Sequence, residues 1–194
     1  MKAHVIPPPE WDCKIQLSFI HKSGEPYRET FELPMEGLVE HWGQSYTSLG
    51  PIRASFDSNY AGDRILAHIT VAGNFSLPCS RCLEETGLAI VGDMRYLFTL
   101  RSPREDERKF RSHDDEIPEA DGDVDVIPLD GFNAELDLVP YIWEVLILNL
   151  PERVLCVSDC LGLCPICGCN KNERNCDCIL DVADPRFEVL RNLK

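Results

Sequence analysis

Residues 52–82 read IRASFDSNYAGDRILAHITVAGNFSLPCSRC, and the fold turns on how they alternate. A first strand leaves Ile52, a turn falls at Asn59–Asp63, and a second strand runs through Ile65, Ala67, Ile69 and Val71. Apolar residues at every second position have the period of a half-buried strand, not the 3.6 period of a helix. Gly73-Asn74 punctuates the second strand. The stretch ends on Cys79-Ser80-Arg81-Cys82, two thiols at C-x2-C spacing. Strands joined by short turns are most economically antiparallel. The residues therefore predict antiparallel pairing that leads into a cysteine turn.

The flanking sequence extends this reading. Residues 86–100, TGLAIVGDMRYLFTL, continue as a third strand. Upstream, KIQLSFI places Ile15, Leu17 and Phe19 on one face, Gly24-Glu25-Pro26 makes a turn, and YRETFEL alternates again. PMEGLVEHWGQSY, residues 34–46, fits a short helix or a loop. The period changes after residue 135, where Leu136, Val139, Trp143, Leu146 and Leu150 fall at helical spacing and Ile142 and Val145 widen the stripe. Asp137 is placed as N-cap, Pro140 sits in the first turn where a missing N–H costs little, and Pro151 ends the run. Asp184-Pro185 opens a short terminal helix. The fold class is α+β: a β-rich antiparallel sheet or barrel-like core, one main amphipathic helix, and a cysteine-rich zinc-binding C-terminal region. Three regions follow within one integrated domain: 1–100 β-rich, 101–134 an acidic mobile linker, and 135–194 the helix with the cysteines.

The formal charge is −14 over 194 residues, which argues against a generic basic surface for nucleic acid. Residues 114–137 hold ten acidic side chains and no Lys or Arg. Like charges at that density repel, so about 101–130 reads as a solvated loop, or as a docking tail for a basic partner. No apolar run approaches the roughly 18–20 residues that span a bilayer, and MKAHVIPPPEWDCKIQLSF lacks a continuous apolar stretch of the secretory kind. The expectation is a cytoplasmic protein with reduced thiols and no membrane anchor.

Ten cysteines are the chemical content. Cys79 and Cys82 form C-x2-C, Cys156 and Cys160 form C-x3-C, Cys164 and Cys167 form C-x2-C within CPICG, and Cys176 and Cys178 form C-x-C. A C-x2-C turn puts two sulfurs on one side of a tight loop. The glycine after the second cysteine supplies positive φ and aims backbone N–H groups at the thiolates. In C-x-C, residues i and i+2 project to the same side of an extended segment. Cys164, Cys167, Cys176 and Cys178 thus make one complete four-thiolate set. Cys79, Cys82, Cys156 and Cys160 make a second, and a partition joining Cys156 and Cys160 to Cys164 and Cys167 stays open. Zinc, one or two ions per chain, fits such sets best. Disulfides suit an exported chain, the ferredoxin run C-x2-C-x2-C is absent, and a dithiol oxidoreductase sits beside a βαβ unit. Cys13 reads as a buried apolar residue and Cys169 as a bystander, with replacement of Cys167 in an alternative geometry as the other reading.

Nothing else in the chain gathers into a catalytic pattern. His4, His21, His41, His68 and His113 are scattered, and no phosphate loop, GxSxG or HExxH occurs. Four thiolates close a zinc ion, whereas a catalytic zinc keeps a position open. The expectation is no enzyme and no small-molecule substrate. Lys171, Asn172 and Arg174, between the last cysteine pairs, are the candidate nucleic-acid contacts.

The order CSRCLEE, acidic linker, ELDLVPYIWEVLILNLP, C-x3-C-x-G-L-C-P-x-C-G, C-x-C and terminal DPRFEVLRNL resembles the YceD-like family of large ribosomal RNA subunit accumulation proteins. The resemblance covers about residues 13–194, with Asn170-Lys171-Asn172 where the family usually has Asn-Leu-Asn. It implies a cytosolic, non-enzymatic protein acting in accumulation or processing of 23S ribosomal RNA. The implied partners are the 23S precursor or a ribosomal or assembly protein. The alternative is a zinc-stapled adaptor that docks a basic partner through its acidic segment.

Overall fold

The computed structural model describes residues 3–18, 25–61, 64–100, 124–131 and 135–178. In chain order the elements are β1 (Ala3–His4), β2 (Lys14–Gln16), β3 (Tyr27–Leu33), β4 (Leu38–His41), β5 (Gln44–Ser48), β6 (Ile52–Ala61), β7 (Arg64–Pro78), β8 (Glu85–Leu100), β9 (Val124–Leu129), β10 (Glu135–Asp137) and the helix α1 (Val139–Leu148). Eight strands form one sheet in the order β1-β4-β5-β7-β6-β3, with β8 paired to β7 and β9 to β8; β10 and β2 form a second, two-stranded sheet.

β7 is the spine of the larger sheet. It pairs β6 from Ala61↔Arg64 to Arg53↔Ala72, pairs β5 at Phe75 and Ser76, and pairs β8 as well. Its inward residues Ile65, Ala67, Ile69, Val71, Phe75 and Leu77 are all buried. The expected alternation holds over the whole strand, and the next inward position beyond Leu77 is Cys79, fully buried. The strand therefore delivers the first thiol of the cysteine turn to an interior position simply by keeping parity.

Gly73-Asn74 does not break β7. A Cβ on Gly73 would stand 2.6 Å from Ile52 Cδ1 and 3.1 Å from a Phe75 ring carbon, so glycine is there to leave room for its neighbours. β6 runs on to Ala61, past Asn59 where the turn was expected to begin, and residues 62–63 lie outside the described residues.

Residues 34–46 hold a hairpin, β4 to β5, that the sequence left undecided. Trp42 (φ 51°) and Gly43 (φ 71°) both take positive φ, the geometry of the tight turn that matches strand twist. Trp is not a residue that announces such a turn, which is why the pattern did not show it. Pairing is mostly antiparallel, as expected, but β1 with β4 and β8 with β9 are parallel. β9 lies within the segment expected as a linker; residues 101–123 and 132–134 lie outside the described residues, as does the expected helix at Asp184-Pro185.

α1 is shorter than the apolar stripe predicted. Leu136 belongs to β10, opposite Ile15 of β2. The N-cap is Leu138, without a side-chain cap, and the Asp137 carboxylate instead accepts the Val139 N–H at 2.9 Å. The helix buries Ile142, Val145 and Leu146. Its Tyr141 meets Tyr96 and Phe98 of β8 edge-on at 5.0 and 5.6 Å, and Tyr96 Oη donates to Glu144 at 3.0 Å. Trp143 meets Trp11 edge-on at 5.8 Å. Cys13 is buried as expected, and burial, then Asp137, push its thiol up to about 11.

The chain divides into two compact units at boundaries other than 100 and 134. One comprises Met1–Leu77 and Gly87–Glu152; the other comprises Pro78–Thr86 and Arg153–Lys194. The helix goes with the sheet, and the first cysteine turn goes with the later cysteines. Gly73→Ala is expected to lower unfolding free energy by about 1–3 kcal/mol through overpacking, read by chemical denaturation, although Ala is ordinarily the better strand residue.

Candidate metal centre

Both C-x2-C turns have the same backbone. In the first, Leu83 N–H donates to Cys79 O at 3.0 Å and Cys79 N–H to Glu84 O at 2.8 Å. In the second, Gly168 N–H donates to Cys164 O at 2.8 Å and Cys164 N–H to Cys169 O at 2.8 Å. The residue after the second cysteine has φ 70° at Gly168 and φ 64° at Leu83. The first turn is thus the connection from β7 to β8, with leucine in the conformation that glycine takes in the second.

This backbone aims donors at sulfur. Cys79 is held down to about 6, chiefly by the Cys82 N–H, against burial, with the N–H groups of Arg81 and Cys156 adding. Cys164 is likewise held down to about 6, first by the Cys167 N–H and then by that of Ile166. The N–H of Cys169 lowers the Cys167 thiol. Each turn therefore begins with a thiolate already paired to amide dipoles, the form that binds a metal.

Two groups of sulfurs assemble, each with every sulfur within 4.8 Å of the others. One is Cys79, Cys82, Cys156 and Cys160; the other is Cys164, Cys167, Cys169 and Cys176. The first has the members of the set read from spacing across some 75 residues of chain; Cys156 and Cys160 fall in it and not in the group on the second turn. Within it Cys79 and Cys160 sulfurs lie 3.8 Å apart, and Cys82 and Cys156 3.5 Å. Contact with Cys82, then burial, then Cys160 and Cys79 push Cys156 up to about 12. Sulfurs this close oppose one another's ionisation.

The second group differs from expectation in one member. Cys169, expected as a bystander, is buried and stands among the sulfurs. Cys178 lies outside the four yet still faces them: Cys167 first, then burial, Cys176 and Cys164 push its thiol up to about 12. Five sulfurs therefore converge here. The signal in the sequence was the position of Cys169 immediately after the turn glycine, where its N–H already serves Cys167.

Three bonds tie the first turn to the later cysteines. Ser80 N–H donates to Val154 O at 2.8 Å, Leu163 N–H to Arg81 O at 3.1 Å, and Arg81 Nη1 to Cys160 O at 2.8 Å. Gly162 (φ 72°) lies so near Arg81 that its Cβ would stand 3.1 Å from the Arg81 carbonyl oxygen. Arg81, which spacing did not single out, is thus what positions Cys160. Of the candidate nucleic-acid residues, Lys171 is half-exposed and Arg174 exposed. Asn172 is engaged elsewhere: its Nδ2 donates to Cys160 Sγ at 3.2 Å.

The family model for "Large ribosomal RNA subunit accumulation protein YceD" matches residues 67–194, from the middle of β7 through both cysteine groups. The chain belongs to the YceD family. A YceD relative from Arabidopsis thaliana, "Large ribosomal RNA subunit accumulation protein YCED homolog 1, chloroplastic", is 28% identical over 163 residues, 78% of this chain. The chain spans about half of that relative's length, 51%. No solved structure matches the chain. Among the described residues no helix is long and apolar enough to cross a membrane.

Leu83→Gly should preserve the YceD cysteine turn and raise stability by up to about 1 kcal/mol, because it removes the left-handed strain that Gly168 avoids. The unfolding midpoint checks this. Acidification should release metal. Cys79 and Cys164 have folded values below the usual thiol value of 9, so their stabilising contribution is full above pH 9 and lost as pH falls through about 6. Bound cation shifts the loss lower still. Metal retained at pH 7 and freed below about pH 6, followed with a colorimetric chelator, is the expected result.

Proposed function

We propose that this YceD-family chain is a non-enzymatic zinc protein of the cytoplasm that assists accumulation or processing of 23S ribosomal RNA in large-subunit biogenesis. The carrying observation is the pair of closed four-sulfur groups, each built on a turn whose amides face the thiolates. Tetrahedral all-thiolate sites at about 2.3 Å are structural zinc sites and leave no position for substrate. The first zinc takes Cys79, Cys82, Cys156 and Cys160. The second takes Cys164, Cys167 and Cys176, with the fourth thiolate drawn from Cys169 or Cys178.

Metal analysis of the purified chain tests this. Two zinc ions per chain are expected, falling to one in Cys79→Ser and unchanged in Cys13→Ser. Cys169→Ser and Cys178→Ser, compared separately, identify the fourth ligand by which of them lowers zinc retention. A chain purified without zinc, or one holding iron, overturns the assignment.

The RNA link rests on the family's named role. Lys171 and Arg174 are the side chains proposed to meet phosphate. Two phosphate contacts would give log K against log salt a slope of about −1.4 to −1.8, and alanine at both should abolish it. The charge of −14 favours a second reading, in which zinc staples the fold and acidic residues dock a basic ribosomal or assembly protein. Binding of a 23S precursor fragment that is absent even at low salt would leave that second reading standing.

A further inference from the structure

The two cysteine groups share more than a chain. Cys160, the last ligand of the first, and Cys164, the first of the second, are separated by only Leu161-Gly162-Leu163. That connector is gripped by the loop between Cys169 and Cys176. Leu163 and Asn170 form an antiparallel bridge, Lys171 N–H donates to Gly162 O at 2.9 Å, and Leu161 N–H donates to Asn172 Oδ1 at 2.8 Å.

Asn172 completes the grip on sulfur itself. Its Nδ2 reaches Cys160 Sγ at 3.2 Å and Asn170 Oδ1 at 2.9 Å, and its own backbone N–H donates to the same Asn170 oxygen at 3.0 Å. Both ends of the Asn172 amide are therefore committed, one to the connector backbone and one to a ligand of the first site. Asn170 is held in turn by its carbonyl, which accepts from Glu173 and Arg174 N–H at 3.2 Å each.

The loop carrying Asn172 starts at Cys169 and ends at Cys176, two sulfurs of the second group. An ion there closes the loop and sets where Asn172 stands. An amide N–H on a thiolate stabilises its charge and orients it, and outer partners of this kind typically matter 10–100-fold in metal affinity. We infer that Asn172 couples the two metal centres, so that an ion bound at the Cys164 group tightens the ion bound at the Cys79 group. The inference rests on the two-site reading proposed above. Coupling of binding free energies is reciprocal, so loss of metal from either site loosens the other.

Cobalt(II) substitution of the full chain tests it, with the sulfur-to-cobalt charge-transfer band followed against chelators of graded strength. The wild type should take up and release two ions in one concerted step. Asn172→Leu, close in shape and without a hydrogen bond, keeps every thiol. It should split the release into two steps and weaken the Cys79 site about 10–100-fold when the Cys164 site is filled, while the Cys164 site, measured with the Cys79 site empty, stays within about threefold. Cys176→Ser, which disables the second site, should weaken the first by a similar factor. Unchanged affinity of the Cys79 site in both variants overturns the coupling while leaving two metal centres intact. A wild-type chain that binds fewer than two cobalt ions overturns the two-site reading and the coupling with it.

Discussion

Sulfurs held within 4.8 Å of one another set the terms for the whole C-terminal unit. Thiolates at that range repel, and a buried thiolate without donors is costly. The chain answers with backbone amides aimed at Cys79, Cys164 and Cys167, and with the side chains of Arg81 and Asn172 around Cys160. Amide dipoles offset part of the charge, and in the function proposed above a divalent cation offsets the rest. The tight turns, the positive-φ residues and the close approach of Gly162 to Arg81 all follow from placing those donors.

The sheet supplies the other boundary condition. β7 carries an unbroken inward row from Ile65 to Leu77, and the cysteine turn begins at the next inward position. Half of the first sulfur group comes from the turn that follows β7 in the chain. The other half comes from residues that follow α1. A cation held by sulfurs from such distant segments would tie them together, the structural use proposed above.

Charge bears on the partner. A zinc ion with four thiolates carries a net negative charge, and the chain is already at −14. Lys171 and Arg174 lie between Cys169 and Cys176 in the chain, so a zinc held there would draw on part of their field before any phosphate is met. Asn172, which spacing placed with them, is bound to Cys160 and to the connector backbone.

What the sequence determined by itself is local. Period-two alternation marked β6, β7 and β8, the 3.6 period marked α1, and cysteine spacing marked every pair of thiols, because each depends only on residues a few positions apart. Spacing offered Cys79, Cys82, Cys156 and Cys160 as one possible set and left another partition open; the fold gathers these four sulfurs into one group. Tertiary structure decided the rest. The Trp42-Gly43 hairpin, the parallel pairing of β9 with β8 and the capture of Leu136 by β2 depend on partners far along the chain. So does the choice of Cys169 over Cys178 in the second sulfur group, and the turn of Asn172 toward Cys160. A side chain's identity fixes what it can bond, but which partner stands within 3 Å is set by how distant segments pack.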